Sequence, residues 1–448
     1  MTSSPQTSAS KQPASASTSA STQLATYLQS LQRFGIAPGL ERIRALLESA
    51  GNPHLEYSVV LVGGTNGKGS TCEFLARLLQ AEDKKVGLYT SPHLYNWNER
   101  IRVFNAEVKS QNAELFPGAI SDAELDTLFR DATPYIEAVA ATELGQPTEF
   151  EVVTFLGLWH FARQKVDIAV VEVGLGGKWD ATNVTQPIVS VITHVALDHC
   201  DRLGNTVEEI ASDKVHIARS GRVLVTAETK PGVLQVFENY CAKIGCKLQK
   251  VEIAQNPTRQ DFQETNFQET NFQEINLQTA QAASRVLRES LSWPEDQSPK
   301  FQAQDVQVVG RFETIHQNPC IILDGANNPD GAKILAASLR STLAALRADS
   351  PNARLILVLG ILLDKDYAVM TGVLAPLADV VIATKSHSPR AANAELVAQE
   401  ARKFCSRVEQ STPVAAAMQR ALEIADKNDI ICATGSFYTI SEIERESL

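Results

Sequence analysis

A glycine-rich segment between a predicted strand and a predicted helix is the strongest chemical signal in the chain. It reads Gly-Gly-Thr-Asn-Gly-Lys-Gly-Ser over residues 63–70, after an apolar run at 59–62 and before a one-sided apolar pattern at 71–79. Crowded backbone N–H groups, the helix N-terminus and the charge of Lys68 would together hold a phosphate. The spacing departs from the strict P-loop pattern, but strand, turn and helix occur in the required order. The segment therefore predicts binding of a nucleoside triphosphate.

Side chains that could bind a metal follow other predicted strands. Apolar runs at 85–90 and 166–173 place Ser91 and Glu172 at strand ends, and His199 follows a third run. Continuous apolar strands separated by helices are typical of a parallel sheet that is covered on both faces. In such sheets, ligands bind beyond the carboxyl ends of the strands. Because Mg²⁺ prefers oxygen ligands, the chemistry alone favours Glu172 over His199.

The composition restricts the classes of partner. The net charge of −11 argues against a nucleic-acid partner, which needs a basic face. The chain has no run of about 18 apolar residues, so we expect no membrane partner. The seven cysteines are scattered and match no metal-binding spacing, which is typical of reduced thiols in a cytosolic enzyme. We therefore expect a cytoplasmic protein that acts on small molecules.

The order of strand and helix patterns predicts an α/β protein with two domains. We predict a P-loop-type ATPase domain with a parallel sheet over residues 23–300 and a smaller Rossmann-like α/β domain over 301–448. Residues 1–22 are rich in Ser, Thr and Ala, which predicts a disordered tail without the features of a secretory or transit signal. A pentapeptide is repeated over residues 262–276, twice as Phe-Gln-Glu-Thr-Asn and once as Phe-Gln-Glu-Ile-Asn. It is predicted to be a duplication within a loop, ahead of a helix at 277–287.

Short motifs spread along the chain occur in an order that is typical of one enzyme family. They are residues 64–70, 89–94, 98–102, 150–151, 172–177, 180–183, 197–199, 310–312, 324–326, 364–366 and 435–436. This ordered set resembles the folylpolyglutamate synthase / dihydrofolate synthase family of the Mur ligase superfamily. The resemblance runs from about Gly35 to Tyr438. It implies an ATP-dependent, amide-bond-forming ligase whose second domain is the glutamate ligase domain.

The resemblance also implies the reaction and its cofactors. ATP phosphorylates a carboxylate of dihydropteroate, or of the last glutamate on a folate, and the amine of L-glutamate then attacks the acyl phosphate. Phosphoryl transfer of this kind needs cations around the γ-phosphate. The implied cofactors are ATP and Mg²⁺, with a monovalent cation such as K⁺ as a further candidate. The implied partners are these small molecules, and the protein is expected to be a monomer.

Individual residues receive roles from the same resemblance. The predicted ATP-binding residues are Thr65, Asn66, Gly67, Lys68, Gly69, Ser70, Asn276, Arg311 and Asp324. The predicted metal ligands are Ser70, Ser91, Glu172 and His199, and the predicted folate-binding residues are Phe150 and Glu151. The predicted catalytic residues are Lys68, Lys214 and Arg311. Lys214 aligns with a lysine that the family modifies with CO₂ to a carbamate.

Departures from the family pattern leave alternatives open. Asn327 stands where the family has a histidine beside the nucleotide, so we expect altered nucleotide affinity. Val215 and His216 replace the family's small residues after Lys214, so an ordinary helix-surface lysine is the alternative there. The alternative functions are another Mur-type amino-acid ligase and a regulatory P-loop ATPase. Residues 98–102 favour the folate branch over the first of these.

Overall fold

The computed structural model covers most of the two predicted domains. It describes residues 22–31, 38–105, 115–253, 272–293 and 306–445. The predictions for the tail up to residue 21 and for the first two copies of the pentapeptide lie outside the described residues. The same applies to the predicted domain boundary between residues 300 and 301.

A seven-stranded sheet forms the N-terminal domain in the described part of the chain. Its strands are β1 (Ser58–Gly63), β2 (Val86–Tyr89), β3 (Ile101–Phe104), β4 (Ile168–Glu172), β5 (Val189–Ile192), β6 (Val223–Thr226) and β7 (Lys247–Lys250). Their order is β3-β2-β4-β1-β5-β6-β7, and every pair is parallel except β2 with β3. The predicted parallel sheet is confirmed, and the antiparallel edge strand β3 is an addition that the sequence did not indicate.

The C-terminal domain contains a second, six-stranded sheet within the described residues. Its strands are β8 (Glu313–Gln317), β9 (Cys320–Asp324), β10 (Leu355–Leu359), β11 (Val380–Ala383), β12 (Val408–Gln410) and β13 (Ile430–Thr434). Their order is β12-β11-β10-β13-β9-β8, and only β8 runs antiparallel to its neighbour. The prediction of a second α/β unit is confirmed.

Helices cover both sheets. They are α1 (Thr22–Leu31), α2 (Glu41–Ser49), α3 (Lys68–Ala81), α4 (Asp122–Ala140), α5 (Glu149–Arg163), α6 (Cys200–Leu203), α7 (Val207–Lys214), α8 (Pro231–Ile244), α9 (Phe272–Leu291), α10 (Pro329–Asp349), α11 (Tyr367–Leu374), α12 (Ala394–Ala401), α13 (Val414–Ile424) and α14 (Phe437–Ile440). Short 3₁₀ turns include Trp97–Arg100. No helix in the described ranges is long and apolar enough to span a lipid bilayer.

β1 shows why the apolar runs are continuous rather than alternating. Val60 and Val62 pack into the core that contains α3 and α9, whereas Val59 and Leu61 pack into the core on the opposite face. Successive side chains of a strand point to opposite faces, so a strand covered on both faces needs apolar residues throughout. The central position of β1 in the sheet places the glycine-rich segment in the middle of the ligand-binding edge.

The third copy of the pentapeptide is helical, which corrects the prediction of a loop up to residue 276. α9 begins at Phe272 and includes the whole of this copy. Its residues contain no glycine or proline, and the buried face that starts at Leu277 supports a helix that extends towards the N-terminus. Asn276 is therefore held on a rigid helix.

Candidate active site

The glycine-rich segment connects β1 to α3, as predicted. α3 begins at Lys68, and the preceding Gly67 has a φ of +88°, a conformation that L side chains rarely adopt. A Cβ at Gly67 would also lie 2.5 Å from Oδ1 of Asn276, so this position requires glycine. No side chain of the described residues caps α3, so the first N–H groups of α3 can bind an anion. Nζ of Lys68 donates to the carbonyl oxygen of Thr65 at 3.1 Å, which keeps the ammonium beside those donors.

Glu172, at the end of β4, is a buried acidic group next to the start of α3. Its Oε2 accepts the backbone N–H of Ser91 at 3.0 Å and lies 3.6 Å from the position of a Cβ on Gly69. Burial raises the pKa of Glu172, and the positive charges of Lys68 and Arg311 oppose that rise. No Lys, Arg or His nitrogen of the described residues lies within 4 Å of this carboxylate. A buried carboxylate without an ion-pair partner fits a bound cation.

His199 and Ser70, two further predicted metal ligands, lie near the same phosphate-binding segment. His199 precedes α6 with a φ of +51° and lines a cavity of about 40 Å³ together with Lys68. Burial lowers the pKa of His199, so its imidazole is neutral near pH 7, which is the form that binds metals. Ser70 is buried in the first turn of α3. Across the described ranges, no three His, Cys, Asp or Glu side chains form a metal cage, so a cation here would also need phosphate or water oxygens.

Lys214 is buried at the end of α7, not on a helix surface. It is 4% exposed, and its Nζ donates to the carbonyl oxygen of Gly64 at 2.9 Å. Burial, together with the charge of Lys68, lowers the pKa of Lys214 to about 7. No carboxylate oxygen of the described residues lies within 4 Å of its ammonium. The alternative of a solvated surface lysine is therefore wrong, and the amine is partly neutral at pH 7, as reaction with CO₂ requires.

Arg311 and Asp324 lie close together in the C-terminal domain. Cζ of Arg311 lies 4.5 Å from the ring centre of Phe437. Asp324, at the end of β9, accepts the backbone N–H groups of Phe312 and Ala326 at 2.8 Å each. Burial raises the pKa of Asp324, and the charge of Arg311 opposes the rise. The carboxylate of Asp324 thus joins the backbone next to Arg311 to the turn that follows β9. The sequence did not indicate this structural role.

The two predicted asparagine contacts lie in different surroundings. Asn276 lies on α9 against Gly67, where the predicted nucleotide would bind. Asn66 instead faces the C-terminal domain: its Nδ2 donates to Oδ2 of Asp330 at 2.8 Å, and its Oδ1 accepts Nδ2 of Asn328 at 3.1 Å. The side chain of Asn66 therefore joins the phosphate-binding segment to the start of α10.

Phe150 and Glu151, the predicted folate contacts, lie in the first turn of α5. The ring of Phe150 packs against Gly174, where an added Cβ would lie 2.5 Å away, so Phe150 borders the edge of the site. Glu151 is 3% exposed; its Oε2 accepts the N–H of Thr148 at 2.7 Å and Nε of Arg42 at 2.9 Å. Glu151 therefore caps α5. Of the two, only Phe150 has its side chain turned towards the site.

Arg100 is a buried cation to which sequence reasoning gave no role, although it noted the motif at 98–102. Nε of Arg100 donates to Nδ1 of His93 at 3.0 Å, and its Cζ lies 4.5 Å from the ring centre of Trp97. Burial and the neighbouring charge of Arg100 lower the pKa of His93 to about 3, so this imidazole is neutral and can accept the hydrogen bond. The available signal in the sequence was the motif at 98–102 itself, and only the antiparallel pairing of β2 with β3 brings Arg100 beside the end of β2.

Asp198 and Lys365 were also missed as site residues. Asp198 precedes His199 and accepts hydrogen bonds from Asn328 and from the ammonium of Lys365. The motif at 364–366 was noted without a role because nothing local indicates a partner 167 residues away. Asn327 is half-buried, next to the Asn328 that caps α10, and the expected change in nucleotide affinity stays a prediction.

Comparison with known protein families defines the class of this site. The Mur ligase middle domain matches residues 127–288, and the Mur ligase, glutamate ligase domain, matches residues 310–437. With the α/β fold and the glycine-rich loop on β1, these matches make the protein an ATP-dependent acid–amino-acid ligase.

Individual relatives identify the family. The dihydrofolate synthase/folylpolyglutamate synthase of Bacillus subtilis (strain 168) is 31% identical over 436 residues, covering 92% of this chain and 96% of the relative. The Mycobacterium tuberculosis folylpolyglutamate synthase complexed with ADP has a TM-score of 0.77 at 27% identity, covering 94% and 96%. A bifunctional folylpolyglutamate synthase/dihydrofolate synthase with Mn, AMPPNP and L-glutamate bound has a TM-score of 0.75 at 30% identity, covering 93% and 96%. The chain belongs to the folylpolyglutamate synthase / dihydrofolate synthase family.

Proposed function

We propose that the protein joins L-glutamate to a carboxylate of a folate, of dihydropteroate, or of both, while ATP becomes ADP and phosphate. The observation that carries the proposal is the environment of Glu172. This buried carboxylate has no ion-pair partner among the described residues and lies beside Ser91 and the first turn of α3. An unpaired acid beside a phosphate-binding loop is what cation-assisted phosphoryl transfer requires.

In the first step, an oxygen of the acceptor carboxylate attacks the γ-phosphorus, and ADP leaves with the bridging oxygen. Lys68 and the N-terminal N–H groups of α3 hold the phosphates, and Arg311 neutralises charge on the transferred group. In the second step, the amine of L-glutamate attacks the acyl carbon, phosphate leaves, and the nitrogen loses its proton to solvent. The product is an amide, and no residue has to act as a strong base on the carboxylate.

The metal in this proposal is Mg²⁺. Ser70, Ser91, Glu172 and His199 would hold it, and it would supply positive charge beside the terminal phosphates. Two hydroxyls and an unpaired buried carboxylate fit a hard cation, and the neutral imidazole of His199 adds a nitrogen ligand. K⁺ is proposed as a second, monovalent cation.

Lys214 is proposed to carry a carbamate. Its neutral amine adds to CO₂ with loss of one proton, so the side chain becomes an anion. The support is its burial, the pKa of about 7 and the lack of a carboxylate within 4 Å among the described residues. A carbamate here would offset the charge of Lys68 and help to organise the metal.

The test is an assay of the full chain with ATP, Mg²⁺, L-glutamate and either dihydropteroate or tetrahydrofolate. We expect ADP release and a product heavier by one glutamyl residue, with Lys68→Ala as the inactive control. An amide formed only in a parallel reaction that contains a peptidoglycan precursor as the acceptor would support the other Mur-type ligase. ATP hydrolysis without any amide product would support the regulatory ATPase. Light scattering of the purified chain tests the proposed monomer.

A further inference from the structure

Arg100 and Arg102 are the two most buried arginines of the described chain, and only one of them has a carboxylate partner. Arg102 is 5% exposed and pairs through Nη1 with Oε2 of Glu73 at 2.6 Å. Arg100 is 7% exposed, and no carboxylate oxygen of the described residues lies within 4 Å of its guanidinium. Removing a guanidinium from water without a counter-ion is unfavourable. An anion from outside the described chain is therefore expected at Arg100.

The surroundings of Arg100 hold its side chain in place without a direct ion pair, and the charges of Glu99 and Glu172 act on it only from beyond 4 Å. Nδ1 of His93 accepts a hydrogen bond from Nε of Arg100 at 3.0 Å, and the ring of Trp97 lies against one face of the guanidinium. The adjacent carboxylate of Glu99 instead accepts three backbone N–H groups, from residues 94–96, at 2.6 Å each. Because a guanidinium carries five N–H donors in a planar fork, donors remain that can bind a carboxylate.

The order of strands places this cation on the acceptor side of the phosphates. The strands lie side by side in the order β1, β4, β2 and β3. Glu172 at the end of β4 and Ser91 after β2 therefore lie between the glycine-rich loop and Arg100. At about 4.8 Å per strand, the backbone of Arg100 is roughly 14 Å from the loop. The strand order thus places the backbone of Arg100 on the far side of Glu172 from the phosphates held by α3, which suits a group that approaches the γ-phosphate from that side.

The ring of Phe150 lies near the strand end that carries the same cation. The ring of Phe150 is centred 6.4 Å from the ring of Tyr89, the last residue of β2. The next residue, Thr90, donates its N–H to the carbonyl oxygen of Arg100 at 3.1 Å. Tyr89 is fully buried, so the half-buried ring of Phe150 is the part of this pair that a ligand can reach. A ligand with an aromatic body and a terminal carboxylate would thus find one ring and one cation near the end of β2.

We propose that Arg100 binds the acceptor carboxylate and orients one of its oxygens towards the γ-phosphate. This inference rests on the proposed function and adds to it the residue that recognises the acceptor's anionic group. His93 and Trp97 are positioning residues, because they act on the ligand through the guanidinium of Arg100.

Equilibrium binding of dihydropteroate and of its carboxamide, with Mg²⁺ and a non-hydrolysable ATP analogue present, tests the proposal. We expect the parent chain to prefer the carboxylate by about tenfold to a hundredfold, as for a charge-assisted hydrogen-bonded pair. Arg100→Gln should reduce this ratio to near one. Arg100→Lys keeps the charge and the packing of the stem, so it should reduce the ratio severalfold even if the glutamine variant folds poorly. Affinity for the ATP analogue should change less than twofold.

Arg102→Lys is the matched control, because it alters a buried arginine of the same strand edge that already has a carboxylate partner. Its carboxylate-to-carboxamide ratio should equal the parent's. A parent-like ratio in folded Arg100→Gln or Arg100→Lys, with an active parent ligase, would overturn this proposal alone. A parent chain that makes no amide from ATP, L-glutamate and either acceptor would overturn the proposed function, and this inference with it.

Discussion

Nζ of Lys365 lies 2.7 Å from Oδ1 of Asp198, and this ion pair connects the C-terminal domain to the loop that carries His199. Both side chains are largely buried, at 8% and 14% exposure. Asn328 donates to the other oxygen of Asp198 at 3.0 Å and to Oδ1 of Asn66 at 3.1 Å. The phosphate-binding loop and the His199 loop are therefore held to the C-terminal domain by one continuous set of hydrogen bonds.

Breaking the pair between Lys365 and Asp198 is expected to slow catalysis. Lys365→Met and Asp198→Asn should each lower kcat by about tenfold, because each removes the buried ion pair that holds the C-terminal domain against the His199 loop. The double variant should be about as slow as the slower single variant, since both changes remove the same interaction. Steady-state kinetics of the four proteins measure this, and multiplicative effects would show that the two residues act independently.

Glu172→Gln is expected to raise the Mg²⁺ requirement. The amide keeps the shape of the side chain and loses the anionic oxygen that a hard cation binds, so half-maximal activity should need about 10- to 100-fold more Mg²⁺. Titration of activity with Mg²⁺ at fixed ATP measures the change. Glu137→Gln, on an exposed position of α4, is the control and should titrate like the parent. Overlapping curves for Glu172→Gln and the parent would remove Glu172 from the set of ligands.

Activity is expected to depend on CO₂ through Lys214. With its pKa lowered to about 7, the amine is mostly protonated at pH 6 and mostly neutral at pH 8, and only the neutral amine forms a carbamate. In CO₂-depleted buffer the activity should therefore fall, with the larger loss at pH 6, and added bicarbonate should restore it. Lys214→Met should be inactive and insensitive to bicarbonate. An unchanged rate after CO₂ depletion at both pH values would contradict the carbamate.

Arg311→Ala is expected to lower kcat by about a thousandfold with little change in folate affinity, because its charge acts mainly on the transferred phosphoryl group. Phe437→Leu should lower kcat by about threefold to tenfold, since it removes only the ring on which the guanidinium rests at 4.5 Å. Phe437→Tyr, which keeps the ring, should behave like the parent. Kinetics combined with folate binding measure both effects, and a defect confined to folate affinity would contradict this role of Arg311.

The sequence by itself determined the inner strands β1, β2 and β4 and the phosphate-binding loop. β1 and β4 are continuous apolar runs, and such runs are typical of parallel strands that are covered on both faces of the sheet. The sequence showed the glycine at position 67, and the structure gives the reason for it, because a φ of +88° and the close approach of Asn276 exclude a Cβ. Because the carboxyl ends of parallel strands share one edge, Ser91 and Glu172 were placed at one site before any contact was known.

Only the tertiary structure decided which charges are paired. Asp198 and Lys365 are 167 residues apart, and no local pattern indicates that they meet. Arg100 and Arg102 look equivalent in sequence, yet only Arg102 finds a carboxylate, 29 residues away on α3. The reason is physical: backbone conformation and burial follow from neighbouring residues, whereas an ion pair depends on how distant segments pack and how much water they exclude.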